Sequence, residues 1–297
     1  MNIEGSIKSM EITKTEELGL CFGVKRAVKL LEEAASKYGG IETLGPATHN
    51  QQLVERLVKI GVRPAKHLDQ VQGKMLAIAT HGTSPQVLCE IQARGIRIID
   101  TTCPIVRKVQ KTAKELAGAG FDVIIFGEAD HSEVRGLLDW AAGRGIAALD
   151  VDQIHMFSRK PYRLGVVSQT TQLQSAWTEF TRRILAAFGP HSKEIRIINT
   201  LCGIVQRRQE AAITLAKRSQ IMLVVGGYNS ANTRRLAESC SQIVETHLVE
   251  TANDLDSDWF AGKKRVGIAA GTSTPDEIVE EVVAKIQSYD CPSQADR

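Results

Sequence analysis

One internal repeat governs what this chain can fold into. The segment IRIIDTTCPIV at 96–106 returns as IRIINTLCGIV at 195–205, an offset of 99 residues. The same offset lays VIIFG (123–127) on MLVVG (222–226). A fainter third copy starts near the amino terminus. There Cys21 precedes Gly45 by 24 residues, just as Cys103 precedes Gly127 and Cys202 precedes Gly226. Three equal intervals define three lobes, and a repeat of this kind has to be read before any single element.

Each lobe reads alike. The cysteine opens a helix: Val24, Val28, Leu31 and Ala35 recur at helical spacing in the first lobe, and Val106, Val109, Ala113 and Leu116 in the second. A strand then ends at the shared glycine. A second helix and strand follow, and that strand ends in a small, hydroxyl-rich turn. The three turns are ATHGTSP (79–85), VSQTT (167–171) and AAGTSTP (269–275). Strands alternating with helices predict a parallel sheet in every lobe. The predicted fold class is therefore α/β, a trefoil of three pseudo-equivalent lobes at 10–100, 101–198 and 199–290, with the leading strand of the first packing on the third. Ligands of open α/β sheets bind outside the carboxyl ends of the strands. All the repeated features fall at such ends, and symmetry would gather them around one centre.

Composition serves here to exclude. With 43% apolar and 24% charged residues in 297, the chain has the make-up of a soluble globular protein. A net charge of +3 is too mild to argue for nucleic acid or an anionic membrane as partner. No apolar run is long enough to span a bilayer, and the first residues, MNIEGSIKSMEITKTEE, hold no apolar signal core. A cytoplasmic location is expected. Residues 1–9 and 289–297 read as loose ends.

Six cysteines without an export signal do not suggest a disulfide framework. Cys21, Cys103 and Cys202 occupy one repeat position counted three times, each just after a strand and at a helix start. The positive end of the helix dipole favours the thiolate, and thiolates bind iron–sulfur clusters and zinc. A structural zinc site closes with four ligands, whereas three thiolates on a cubane leave one iron open. Cys89, Cys240 and Cys291 stand outside the repeat and are expected to be non-ligands.

A polar set surrounds these positions. Four residues past each shared glycine stand His49, His131 and Ser230. The second set of strand ends supplies His81, Ser168 to Thr171, and Thr272 with Ser273. Imidazoles, hydroxyls and an amide suit a diphosphate-like anion, imidazolium giving charge-assisted donors. Ser84-Pro85 and Thr274-Pro275 read as N-caps with proline at the first helical position, and helix starts favour anions. Glu133, two residues past His131, could deliver a proton to the same centre.

These residues resemble a known family, the 4-hydroxy-3-methylbut-2-enyl diphosphate reductases of the LytB type. The resemblance covers roughly residues 10–290 and rests on LCFGVKRAV, ATHN, THGTSP, DTTCP, HSEV, SQTT, NTLC with a downstream RQ, NSANTRRL and AGTSTP. It implies three α/β lobes around a central [4Fe–4S] cluster ligated by Cys21, Cys103 and Cys202. It implies that His49, His81, His131, Ser230, Asn232 and Ser273 hold the diphosphate or the hydroxyl end of a small allylic diphosphate. Glu133 matches the family's proton-relay acid and Thr170 the hydroxyl beside it. The implied reaction is reductive dehydroxylation to isopentenyl and dimethylallyl diphosphate, the last step of the methylerythritol phosphate route. Ferredoxin or flavodoxin would supply the electrons, since no flavin or nicotinamide fingerprint is present. The sequence departs from the family pattern at Val205, at Ala231 between Ser230 and Asn232, and at Glu128 after Gly127. A three-cysteine iron–sulfur dehydratase and a redox-sensing metal module remain as alternatives.

Overall fold

The computed structural model describes residues 10–154 and 161–290. The loose ends expected at 1–9 and beyond 290, with Cys291, lie outside the described residues. Twelve strands and nine α-helices follow one another in a thrice-repeated order among the described residues. After β1 (Glu11–Lys14) come α1 (Phe22–Tyr38), β2 (Ile41–Leu44), α2 (Gln51–Lys59), β3 (Val62–Ala65), β4 (Met75–Ile78), α3 (Pro85–Ala93) and β5 (Arg97–Asp100). The second round is α4 (Pro104–Gly118), β6 (Asp122–Phe126), α5 (Ser132–Trp140), β7 (Gly145–Ala148), β8 (Arg163–Ser168), α6 (Gln174–Phe188) and β9 (Glu194–Ile197). The third is α7 (Gly203–Ala216), β10 (Ile221–Val225), α8 (Ala231–Ser241), β11 (Thr246–Val249), β12 (Arg265–Ala270) and α9 (Asp276–Asp290).

The strands form three four-stranded sheets of orders β3-β2-β4-β5, β7-β6-β8-β9 and β11-β10-β12-β1. Every pairing is parallel. Written in that direction the three sheets are one topology. Only the third takes its last strand from the other end of the chain, Glu11 standing opposite Arg265. Helices cover these sheets, so central strands must be apolar on both faces. Residues Ile221–Val225 of β10 are all fully buried, and Val123–Phe126 of β6 nearly so.

Contacts group the chain into two compact units. The described residues of one fall within Met1–Cys21, His49–Leu53 and Arg207–Arg297, and those of the other within Phe22–Thr48 and Val54–Gln206. The first unit holds the third sheet. Its two apolar layers centre on Ile221, Leu223, Ile268 and Val282 and on Met222, Val224, Leu236 and Cys240. The second unit holds the other two sheets. Phe126, Trp177 and Phe180 pack on one face of the middle sheet, and Phe121, Ile125 and Leu137 on the other. The predicted helical stripes of α1 and α4 are the buried ones: Val24, Val28, Leu31 and Ala35, and Val106, Val109, Ala113 and Leu116. No helix among the described residues is long and apolar enough to cross a membrane.

Candidate active site

The repeat extends to the backbone atom. Cys103 N–H donates to the Thr80 carbonyl at 2.9 Å, Cys202 N–H to the Thr170 carbonyl at 2.8 Å, and Cys21 N–H to the Thr272 carbonyl at 2.9 Å. Each carbonyl belongs to the hydroxyl-rich turn of one sheet, and each cysteine follows the edge strand of that same sheet. Every cysteine is thus held by the lobe it leaves, at the start of the helix it opens. The three thiols are half-buried, and none forms a disulfide.

In the second compact unit the SQTT turn reaches Glu133. This residue is buried, in the first turn of α5. Thr170 grips its carboxylate at both oxygens, the backbone N–H donating to Oε1 at 2.7 Å and the hydroxyl to Oε2 at 2.9 Å. The Thr170 carbonyl holds the Cys202 amide, so one threonine ties the acid to a cysteine. His131 caps α5: its Nδ1 accepts from Glu133 N–H at 3.1 Å. That leaves the neutral ring with its proton on Nε2. His81 is set the other way, Nδ1 lying 2.9 Å from the Gly82 carbonyl. A carbonyl only accepts, so Nδ1 carries a proton, and Nε2 can donate to an anion only as imidazolium. Ser84 caps α3, accepting from Val87 N–H at 3.2 Å, with Pro85 at the helix start as predicted.

The first unit carries the remaining residues. Ser230 caps α8 and accepts from Thr233 N–H at 3.3 Å. Asn232 reaches the Thr272 hydroxyl with its amide at 3.5 Å, and Ser273 is buried in the same turn. His49 lies against Gly227, where a side-chain carbon would strike the His49 carbonyl, so only glycine fits. Burial first, then the Arg234 guanidinium, holds the His49 ring below the ordinary imidazole range. That corrects the expectation of a charged ring: without an anion beside it, His49 is neutral near pH 7. The repeat also slips by one residue here, since Asn50 and not His49 accepts from the helix, from Leu53 N–H at 2.9 Å. Thr274 is a second correction. The helix opens at Asp276, and the fully buried Thr274 hydroxyl donates to the Val225 carbonyl at 3.0 Å. A buried donor takes the acceptor at the adjoining strand end.

The donor set fits an iron–sulfur group. Three thiols at positive helix ends, each with its amide fixed, have the chemistry such a group would need of its ligands. Among the described residues no three His, Cys, Asp or Glu side chains could hold a single metal ion. Cys240, by contrast, sits in the apolar core, and burial pushes its thiol up to about 11. Cys89 is exposed on α3. A cleft of about 570 Å³ opens between Gly39–Gly40, Gly61 and Gln72–Met75, at the amino ends of the first sheet's strands, and no predicted site residue lines it.

Known proteins agree with this picture. The protein-family model described as LytB protein matches residues 12–287. The chain belongs to the LytB family. It is 45% identical over 276 residues, 92% of this chain and 96% of the relative, to the 4-hydroxy-3-methylbut-2-enyl diphosphate reductase of Dehalococcoides mccartyi strain CBDB1. It is 38% identical over 286 residues to the reductase of the same name from Geobacter metallireducens, covering 95% of this chain and 98% of that one. A solved (E)-4-hydroxy-3-methyl-but-2-enyl diphosphate reductase superposes with a TM-score of 0.68 at 38% identity, over 94% of this chain and 99% of its own. The Plasmodium falciparum reductase structure superposes with a TM-score of 0.87 at 25% identity, over 93% and 87% of the two chains.

Within the LytB frame two of the three departures, Val205 and Ala231, are small residues in buried places. Val205 and Ala231 are each 3% exposed, one in the first turn of α7 and the other opening α8. Glu128 offers its backbone N–H to Gln169 Oε1 at 3.2 Å. Sequence reasoning missed Arg208, whose buried guanidinium donates to the Gly271 carbonyl at 3.2 Å and the Leu18 carbonyl at 3.0 Å. It thereby braces both sides of the Cys21–Thr272 link. The only signal was the RQ pair downstream of NTLC.

Proposed function

We propose that this chain reduces 4-hydroxy-3-methylbut-2-enyl diphosphate to isopentenyl and dimethylallyl diphosphate, using one [4Fe–4S] cluster held by Cys21, Cys103 and Cys202. The reading places it at the last step of the methylerythritol phosphate route, in the cytoplasm. The overall change balances as one allylic alcohol, two electrons and two protons giving one alkene and one water. Bound there, the cluster would supply single electrons and a Lewis-acidic iron. Ferredoxin or flavodoxin delivers the electrons to it.

The chain's own residues do the rest. Glu133 holds the proton, and the Thr170 hydroxyl, 2.9 Å from Oε2, completes the short relay to the departing oxygen. His131 keeps Nε2–H as a neutral donor toward the anion, and His81 donates as imidazolium. His49, Ser230, Asn232 and Ser273 bind the diphosphate, which fixes the substrate's orientation. Being buried, Ser230, Asn232 and Ser273 hold water away from the reacting carbons. The observation that carries the reading is the double grip of Thr170 on Glu133. A solvated helix-start glutamate would not be buried with both oxygens engaged.

The test is anaerobic purification with iron and sulfide counts, followed by turnover of the hydroxylated allylic diphosphate with and without reductant. Four irons per chain and reductant-dependent release of both isomers are expected. Turnover that ignores the electron supply would replace the reductase by a dehydratase. One zinc without sulfide would replace it by a sensing module.

A further inference from the structure

Acids stabilise the first turn of a helix and cations oppose its dipole. Helix α9 obeys this with Asp276 and Glu277. Helices α1 and α4, opened by Cys21 and Cys103, have no acid in the first turn and carry a cation there instead, Lys25 and Arg107. On α1 the exposed residues Phe22, Lys25 and Lys29 fall at helical spacing on one stripe. On α4 the exposed Arg107, Lys108 and Lys111 do the same. The two stripes adjoin. Arg26 on α1 donates to the Thr102 and Asp100 carbonyls at 3.3 and 3.4 Å, and the Asp100 carboxylate pairs with Arg107. The acids Glu33 and Glu115 pair with Lys29 and Lys111 only at the ends away from the cysteines. At the head of the α1 stripe, Phe22 leaves 61% of its surface in water. Two adjoining cationic stripes with an exposed aromatic ring at the head of one make a surface suited to an acidic partner.

We propose that this surface, cationic stripes headed by the Phe22 ring, is the docking site of an acidic one-electron carrier protein. The proposal rests on the reductase reading and adds to it where the donor binds. Complementary charge steers the carrier to the cysteine ends of α1 and α4. Phe22 is the kind of aromatic anchor that a short-lived complex desolvates. Two dockings in turn deliver the two electrons of the balanced reaction, the carrier being oxidised by one electron each time.

The test compares two electron sources on the holoenzyme, photoreduced flavodoxin (an acidic carrier) and dithionite-reduced methyl viologen (a small cation needing no docking). Wild-type turnover with methyl viologen comes first, and its absence would sink the reductase reading rather than this surface. The pairs K25E/K29E and K108E/K111E should each raise the KM for flavodoxin about tenfold or more at low salt and flatten its salt dependence. Phe22→Ala should raise the same KM without altering the salt slope. Methyl viologen turnover should stay unchanged in all three, and K74E, at the amino ends of the first sheet's strands, should change neither assay. An unchanged flavodoxin KM in both pairs would overturn the proposal. So would a proportional loss with both reductants, reproduced in the milder K25Q/K29Q and K108Q/K111Q pairs, because it would assign these lysines to the cluster's own stability.

Discussion

Glu133 shows how much one residue's surroundings decide. Its position in HSEV made it a candidate acid, but the same position suits an ordinary first-turn carboxylate. Burial and the two bonds from Thr170 separate the two readings. Glu133→Gln keeps the acceptor for the Thr170 amide and removes the proton. Its cluster spectrum should match wild type while kcat falls about 10²- to 10⁴-fold, the range for a lost general acid; an unchanged kcat would end that role. His49 carries a pH prediction. Its native pKa lies below the unfolded value of 6.5, so the unfolded chain binds the extra proton. Its contribution to stability is whole above about pH 6.5 and shrinks as pH falls through the folded pKa. The melting temperature should therefore drop on acidification, and His49→Gln should flatten that part of the profile.

Among the elements, β1 is the one whose place a linear reading could only suggest. Its hydrophobic signal is a mere four residues, EITK. Register shows how it is held. Glu11 N–H bonds to the Lys264 carbonyl and Thr15 N–H to the Ile268 carbonyl, each at 2.9 Å. The two-residue period of a strand then turns the Thr13 N–H toward β12 and the Lys14 N–H toward the open edge. Thr13→Pro removes a ladder bond and should lower iron per chain, because this strand leads into Cys21. Lys14→Pro forfeits only an exposed pair with Glu280 and should be tolerated. Metal analysis beside urea unfolding separates the two, and equal losses would refute the register argument. The turns were legible because glycines and hydroxyl residues punctuate them. The Asn50 cap and the Thr274 bond were not, because each was decided by which buried partner lay within reach.

The whole molecule joins its two chain ends in one sheet, and Arg208 is the brace. It binds Leu18 and Gly271, residues 190 and 63 positions away. Arg208→Leu would strand the Leu18 carbonyl, at a cost on the order of 1–3 kcal/mol where it is buried, while the Gly271 carbonyl keeps its bond from Thr274 N–H. Lysine, a point donor, cannot replace the fork. Both variants should speed alkylation of Cys21 in cluster-free protein several-fold relative to Cys103 and Cys202. Equal rates at all three cysteines would show that the brace does not reach the site.

The sequence by itself determined the three-lobe α/β plan and the reductase family, because repeats and strand–helix alternation are linear signals. It also singled out the cysteines, histidines, Glu133 and Thr170, which are marked by type and spacing. Only the tertiary structure decided that each cysteine amide is fixed by the sheet it leaves, that Glu133 is buried in Thr170's grip, and that Arg208 braces Cys21. Those facts depend on hydrogen bonds between residues 23 to 251 positions apart, and no local pattern encodes which distant carbonyl a buried donor will meet.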